Sequence, residues 1–298
     1  MISKKFIYDK VLPLVKEKSR MLEYYLIMSL FENVDSKILE ELKEFQNSDG
    51  GFGNGLEPDV QMPNSSILAT NIAIKSLAFV KNRDLKVDMI KDIVQYIENN
   101  YDIDKERFFM VDDNVDNYPH AVWWNFIDLE KNFPFGNPDP EVIGFLYENR
   151  QFITKLNYSS LINKVVDYVM SDRFLDAKMH SLMSVMRFYK KVDDDVRNLI
   201  HDRIHLLVNK ELDAGLGNWD EYSLEPYKIY IIEPHFTNTH LEQLGENLTG
   251  VIKKINDLGV KPNWEWYQYK DEFEKVKNDW IGQIYFDMIR ALRLHRII

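Results

Sequence analysis

The sequence predicts an all-α fold in which helical hairpins close into a ring with the long loops on one rim. Three observations carry this expectation. Apolar residues recur at the 3.6-residue helical period from one end of the 298-residue chain to the other. No Gly-, Ser- or Pro-rich linker divides the chain, so residues 1–298 read as a single domain of about a dozen helices. Short connections such as Asn82-Arg83-Asp84 and Lys191-Val192-Asp193 alternate with long ones, which is the pattern of hairpins set around a ring, the longer loops forming the functional rim.

Lys4 to Asn33 reads as helix, with Pro13 a kink or a break and Tyr24, Ile27, Met28 and Phe31 on one face. Asp35 or Ser36 can cap the next helix, whose stripe is Ile38, Leu39, Leu42 and Phe45. After a glycine-rich loop, Ser66 to Val80 buries Ile67, Ile74, Leu77 and Ala78, and Val87 to Asn99 buries Ile90, Ile93, Val94 and Ile97. Arg107 to Val111 suits a short strand before a turn at Asp112-Asp113-Asn114. Pro119 suits the first turn of a helix carrying His120, Trp123, Trp124 and Ile127. Pro134, Gly136, Pro138 and Pro140 make a second elaborate connection, followed by helices at Glu141–Tyr147, Ser160–Met170, Ala177–Tyr189 and Asp194–Val208. Thr239 to Leu258 is helical with a break expected at Gly245 or Gly250, and a last helix runs from Trp280 to Arg296.

Composition narrows the function classes. Hydrophobic residues at 45% and charged residues at 29% describe a globular chain. The net charge of −11 argues against a nucleic-acid partner and against a polybasic membrane binder. Without cysteine there is no disulfide, thiolate metal site or cysteine nucleophile. Tyr8, Asp9 and Lys10 interrupt any signal-peptide core, and no apolar run approaches the roughly 20 residues of a membrane span, so a cytoplasmic protein is expected. The aromatic content (17 Phe, 16 Tyr, 6 Trp) is rich enough for an aromatic-lined cavity holding a small-molecule ligand.

Chemistry-bearing residues gather in the loops. The first loop places four glycines around Phe52 (Asp49-Gly50-Gly51-Phe52-Gly53-Asn54-Gly55) and ends in Leu56-Glu57-Pro58-Asp59. Such a run suits a backbone that needs positive φ or close approach at several points. A second loop repeats the theme, Asp213-Ala214-Gly215-Leu216-Gly217-Asn218 and then Leu224-Glu225-Pro226. One recurrence of this length suggests repeated hairpins whose loops share a rim.

Gln46 followed by Asp49-Gly50-Gly51-Phe52-Gly53 resembles the repeat of the terpenoid cyclase and protein prenyltransferase superfamily. That resemblance implies an α/α toroid: an inner and an outer ring of helices around a central cavity. The longer pattern is similar to a bacterial branch of these proteins without an assigned reaction. Its marks are Gly55-Leu56-Glu57-Pro58-Asp59, Pro119-His120-Ala121-Val122-Trp123-Trp124, Asn137-Pro138 with Glu141, and Trp280-Ile281-Gly282. The chain lacks the Asp-x-Asp-Asp acid of class II terpene cyclases, since Asp193-Asp194-Asp195 has the wrong spacing, and it lacks the cysteine of the prenyltransferase zinc site. The resemblance therefore implies a scaffold and neither known catalytic motif.

Glu57 and Asp59 flank Pro58, which favours extended backbone and sets the two side chains on one side, about 6.6 Å apart along the chain. Two cavity carboxylates can do acid–base work, one raised in pKa by the other; alternatively they cap the next helix or pair with surface cations. Asp49, Glu57 and Asp59 with nearby carbonyls can also be read as calcium ligands, although the EF-hand spacing is absent and no metal or other cofactor is expected. On a helix His120, Trp123 and Trp124 share a face, able to hold a sugar ring or an isoprenoid cation, or simply packed indoles beside a bonded histidine. Trp219, Asp220, Glu221 and Tyr222 in the second loop, and Trp264 and Trp266 near the end, repeat the acidic–aromatic theme. Glu57, Asp59 and His120 are thus the catalytic candidates. Asp49, Phe52, Trp123, Trp124, Trp219, Asp220, Glu221, Tyr222, Trp264 and Trp266 are the ligand-binding candidates. An acid–base enzyme with a central cavity leads the readings, beside a glycoside-hydrolase-like enzyme on a six-hairpin scaffold and a non-catalytic binding toroid. His201 and His205, one helical turn apart, read as surface residues.

Overall fold

A computed structural model describes residues 2–126, 135–215, 219 and 222–298. Asp220 and Glu221, with Ile127, Pro134, Leu216, Gly217 and Asn218, lie outside the described residues. The chain is mostly helical, and the strand among the described residues is one ribbon, β1 (Tyr101–Asp102) with β2 (Arg107–Phe108), besides isolated bridges.

Some helices begin at a side-chain cap the sequence supplies, whereas Asp35 and Ser36, expected as caps, both lie inside their helix after an uncapped start at Val34. Helix passes through a π-turn at Ile7–Val11 into α1 (Leu12–Lys18), where Pro13 falls in the first turn and its missing N–H costs little. α2 is Met21–Ser29 and α3 is Asp35–Lys43. Ser66 opens α4 (Ile67–Leu77) by accepting from the Ala69 amide at 3.0 Å, and Asn82 opens α5 (Arg83–Asn99) by accepting from Asp84 at 3.0 Å. α6 (Asp139–Glu148), α7 (Tyr158–Met170), α8 (Met179–Tyr189) and α9 (Asp194–Ala214) follow, α7 capped by Asn157 and α9 by Asp193. α10 (Pro226–Ile232), α11 (Leu241–Asn256) and α12 (Lys270–Leu294) complete the chain.

Packing follows a regular order. α4 lies against α6, α6 against α8, α8 against α10, α10 against α12, and α12 returns to α2. Each odd-numbered helix lies against an even-numbered neighbour: α1 and α3 on α2, α5 on α4, α7 on α6, α9 on α8 and α11 on α10. One apolar cluster extends from Ile2 to Leu292 and draws on all twelve labelled helices. Among the described residues no helix is long and apolar enough to cross a membrane.

Three further sequence expectations are corrected. Residues 119–124 are not a helical face: His120 sits in an extended bridge to Val60, and only Val122–Trp124 turn, as a 3-10 segment. The last helix starts at Lys270 rather than Trp280: Phe273 and Val276, one turn apart and both buried, extend its apolar face among charged neighbours. α11 runs unbroken through Gly245 and Gly250, where an added Cβ would meet nothing within 4 Å, so neither glycine answers a steric need.

Candidate functional site

The glycine loop is a rigid arm that carries Glu57 and Asp59 inward. Phe52 is fully buried and bridges both Gln46 and Ser66; its amide donates to Thr70 Oγ1 at 3.1 Å and its carbonyl accepts from Ser66 at 2.9 Å. Gly53 allows this closeness, since a Cβ there would stand 2.3 Å from the carbonyl oxygens of Pro63 and Asn64. Asp49 is exposed and braces the turn, accepting from the Gly51 amide (2.9 Å) and the Ser65 hydroxyl (2.7 Å). Arg20, paired with Glu23 at 2.5 Å, donates to the carbonyls of Gly55 (2.9 Å) and Leu56 (3.0 Å) and so fixes the last turn before Glu57.

Glu57 and Asp59 are each 5% exposed. One carboxylate oxygen of Asp59 accepts from two indoles, Trp266 Nε1 and Trp280 Nε1, both at 2.7 Å. Trp264 bears on the same carboxylate electrostatically, although its N–H makes no hydrogen bond of good geometry among the described residues. Burial pushes Asp59 up to about 6 while the indole donors pull the other way. Among the described residues Glu57 has only the long Asp59 amide contact of 3.4 Å; burial, then the Asp59 charge, push it up to about 8, against Lys75 and Arg20. The better hydrogen-bonded charge is therefore on Asp59, and Glu57 is the member of the pair whose surroundings favour the proton more strongly. Two carboxyls whose surroundings drive their proton affinities in different degrees are fitted for the roles of acid and base.

Three distant loops meet here by backbone pairing. The Asp59 carbonyl accepts from Ala121 (2.9 Å), the Gln61 amide donates to Pro119 (2.9 Å), and Val122 donates to Trp266 (3.4 Å). His120 is buried, but its ring faces its own loop: Nδ1 lies 2.7 Å from the Tyr118 carbonyl and Nε2 lies 2.8 Å from Asn125 Oδ1. Gln268 locks that arrangement by donating to the His120 carbonyl and to Asn125. Trp123 is 37% exposed, and Trp124 packs between two small apolar clusters. The indoles on the carboxylate thus come from Trp266 and Trp280 rather than from Trp123 and Trp124. From the second loop, Trp219 is partly buried. Tyr222 packs edge-on against Trp264 (5.8 Å), which packs edge-on against Trp280 (5.3 Å). The Tyr222 hydroxyl pairs with His180 Nε2 at 2.7 Å. Burial, Asp59 and Glu57 together push Tyr222 up to about 12, which places it beside both carboxyls.

Beyond Glu57 lies a second polar group that the sequence reading missed. Asn71 and Lys75, four residues apart on α4, meet Glu141 of α6: Asn71 Nδ2 donates at 3.0 Å and Lys75 Nζ stands 3.8 Å away. Arg187 of α8 approaches the other Glu141 oxygen at 3.5 Å, and Asp287 and Arg290 of α12 lie near. Lys75 exposes 36% of its side chain, yet desolvation by surrounding protein is the largest influence on its amine and lowers its pKa. His180 and Tyr222 show the same combination: both are exposed by area, yet burial drives His180 down to about 4 and Tyr222 up. The signal in the sequence was an asparagine and a lysine one turn apart in the largely apolar Ile67–Leu77 segment, where a buried charge requires a partner. Among the described residues no three His, Asp or Glu side chains converge as metal ligands.

No protein-family model matches the chain, and neither a curated protein nor a solved structure matches it significantly.

Proposed function

We propose that the protein is an acid–base enzyme whose α/α toroid encloses a small hydroxylated substrate of the saccharide kind. The carrying observation is the buried Glu57–Asp59 pair, with one carboxyl raised to about 8 and the other to about 6. The toroid reading is supported by the order of packing, in which even-numbered helices neighbour one another in succession and α12 returns to α2. In that arrangement the polar residues of α4, α6, α8 and α12 face one central space.

In this reading the protonated Glu57 gives its proton to the leaving oxygen as the glycosidic C–O bond breaks. Ionised Asp59 faces the positive charge developing on the sugar ring and takes the proton of the attacking water. The indoles of Trp264 and Trp280 and the phenol of Tyr222 supply flat walls and a hydroxyl. The polar lining favours this over a hydrocarbon substrate: an isoprenoid would have to desolvate Lys75, Arg187, Glu141 and Asp287 without bonding to any of them. A panel of aryl glycosides assayed with wild type, Glu57→Gln and Asp59→Asn tests the proposal. Each substitution is expected to lower kcat by about 10²–10⁴-fold on any substrate turned over. Undiminished turnover in both variants would refute the acid–base assignment.

A further inference from the structure

Lys75 and Arg187 stand out because the acid–base chemistry leaves them unused. They come from different helices, α4 and α8, and share one carboxylate, Glu141, at 3.8 Å and 3.5 Å. Neither distance is a hydrogen bond, and among the described residues neither Lys75 Nζ nor the Arg187 guanidinium hydrogen-bonds to a protein acceptor. Glu141 is itself held by Asn71 and is 2% exposed, so it fixes the two cations from behind while their donors remain accessible, at 36% and 27% of side-chain surface. Two positive charges against one negative leave the group with a net charge of +1. On the far side Asp287, lifted by burial, is offset by Arg290. Glu57 also acts on Lys75 electrostatically, although burial and the Asp59 charge disfavour its ionised form. The Lys75–Arg187–Glu141 group is thus net positive inside a chain whose net charge is −11.

We propose that Lys75 and Arg187 form an anion-recognising subsite, and that the substrate is an acidic one whose carboxylate, phosphate or sulfate group docks there while its reacting bond lies at Glu57 and Asp59. This rests on the saccharide reading above and adds the substrate's charge to it. Ionic hydrogen bonds from a lysine and a guanidinium suit such a group, and the enclosing wall reduces the screening that weakens surface pairs.

The test titrates the whole chain with glucose, glucuronate, glucose 6-phosphate, glucose 6-sulfate and inorganic sulfate, read by tryptophan fluorescence and by calorimetry. Wild type is expected to bind at least one anionic sugar about tenfold or more tighter than glucose, the worth of a charged hydrogen bond. That preference should weaken with added salt. Which sugar binds best distinguishes a carboxylate subsite from a phosphate or sulfate subsite. Lys75→Met and Arg187→Gln should each abolish the preference, weakening the anionic sugars far more than glucose, and Lys75→Arg should retain it. Circular dichroism identifies any variant that fails to fold, in which case the salt dependence and the Lys75→Arg result decide. If glucose binds as tightly as every anionic sugar, or the preference survives both charge removals, the subsite is wrong and the saccharide reading stands. If inorganic sulfate binds through Lys75 and Arg187 but no sugar does, the subsite stands and the saccharide reading fails. If no probe binds, both fail.

Discussion

Replacing Glu57 with glutamine should stabilise the protein, and increasingly so as the pH rises. The folded chain holds a proton on Glu57 up to about pH 8, whereas the unfolded chain releases it near 4.5. A carboxyl raised in this way contributes its full stability below pH 4.5 and loses it progressively as the pH climbs to 8. At about 1.4 kcal/mol for each tenfold change in proton affinity, the interval from 4.5 to about 8 corresponds to about 4–5 kcal/mol at alkaline pH. Some of the push comes from Asp59, whose own ionisation responds when Glu57 changes, so about half, roughly 2 kcal/mol, is the amount Glu57→Gln should recover. The glutamine carbonyl can still accept from the Asp59 amide, so the backbone contact is kept. Urea unfolding of both proteins at pH 4.5, 7 and 9 measures this. The curves should nearly coincide at pH 4.5 and separate in favour of the variant at pH 9. Parallel stabilities across the range, or a wild type that is the more stable at pH 9, would refute the claim that Glu57 is buried with its proton.

Trp280→Phe removes one of the two indole donors on Asp59, so its pKa should rise further above 6, by about one unit, as followed by NMR titration of the labelled carboxyl; an unmoved value would mean the indole is a wall only. Gly53→Ala should lower stability by about 1–3 kcal/mol or more in thermal unfolding, because its Cβ would meet two fixed backbone oxygens at 2.3 Å. Glu98 accepts from the amides of Thr154, Lys155 and Leu156, which hold its pKa below the ordinary range although burial pushes it upward. Glu98→Gln should therefore cost about 1–3 kcal/mol at pH 7. The difference from wild type should shrink as acid protonates Glu98, because a lowered pKa contributes stability above the unfolded value and loses it as the pH falls through the folded one.

Much of the helical architecture was legible, because apolar stripes such as Ile90, Ile93, Val94 and Ile97 report burial directly, and all four are buried. Glu57 and Asp59 stood out for a local reason: a Glu-Pro-Asp segment behind four glycines can hardly be anything but a shaped arm. Trp123 and Trp124 misled because Pro119 suggests a helix start, whereas pairing of Val60 with His120 holds that stretch extended. Tertiary pairing overrode local preference there. Trp280 went unassigned as a site residue because its role depends on a carboxylate 221 residues away, which no local spacing encodes. The meeting of Lys75, Glu141 and Arg187 was not legible for a related reason: each lies on a different helix, and no local spacing encodes their convergence. Polar residues on inward faces become meaningful only once the helices that share a centre are known.

The indole contacts of Asp59 also set when the site can exist. Its two donors lie 207 and 221 residues further along the chain, and Ser19 reaches Asn278 across 259. Contacts of such long range form late, after the entropy of closing the intervening loop has been overcome. While the chain is being synthesised, Asp59 precedes both indoles that donate to it, and in that interval it is an ordinary surface acid. It gains its donors only when the segment at Trp266 and α12, which carries Trp280, dock. The same dependence persists in the finished fold: fraying of α12 near Trp280 would expose Asp59 to water, return it towards ordinary carboxylate behaviour and lower the proton affinity of Glu57. The protonation state of the pair is thereby tied to the integrity of the last helix.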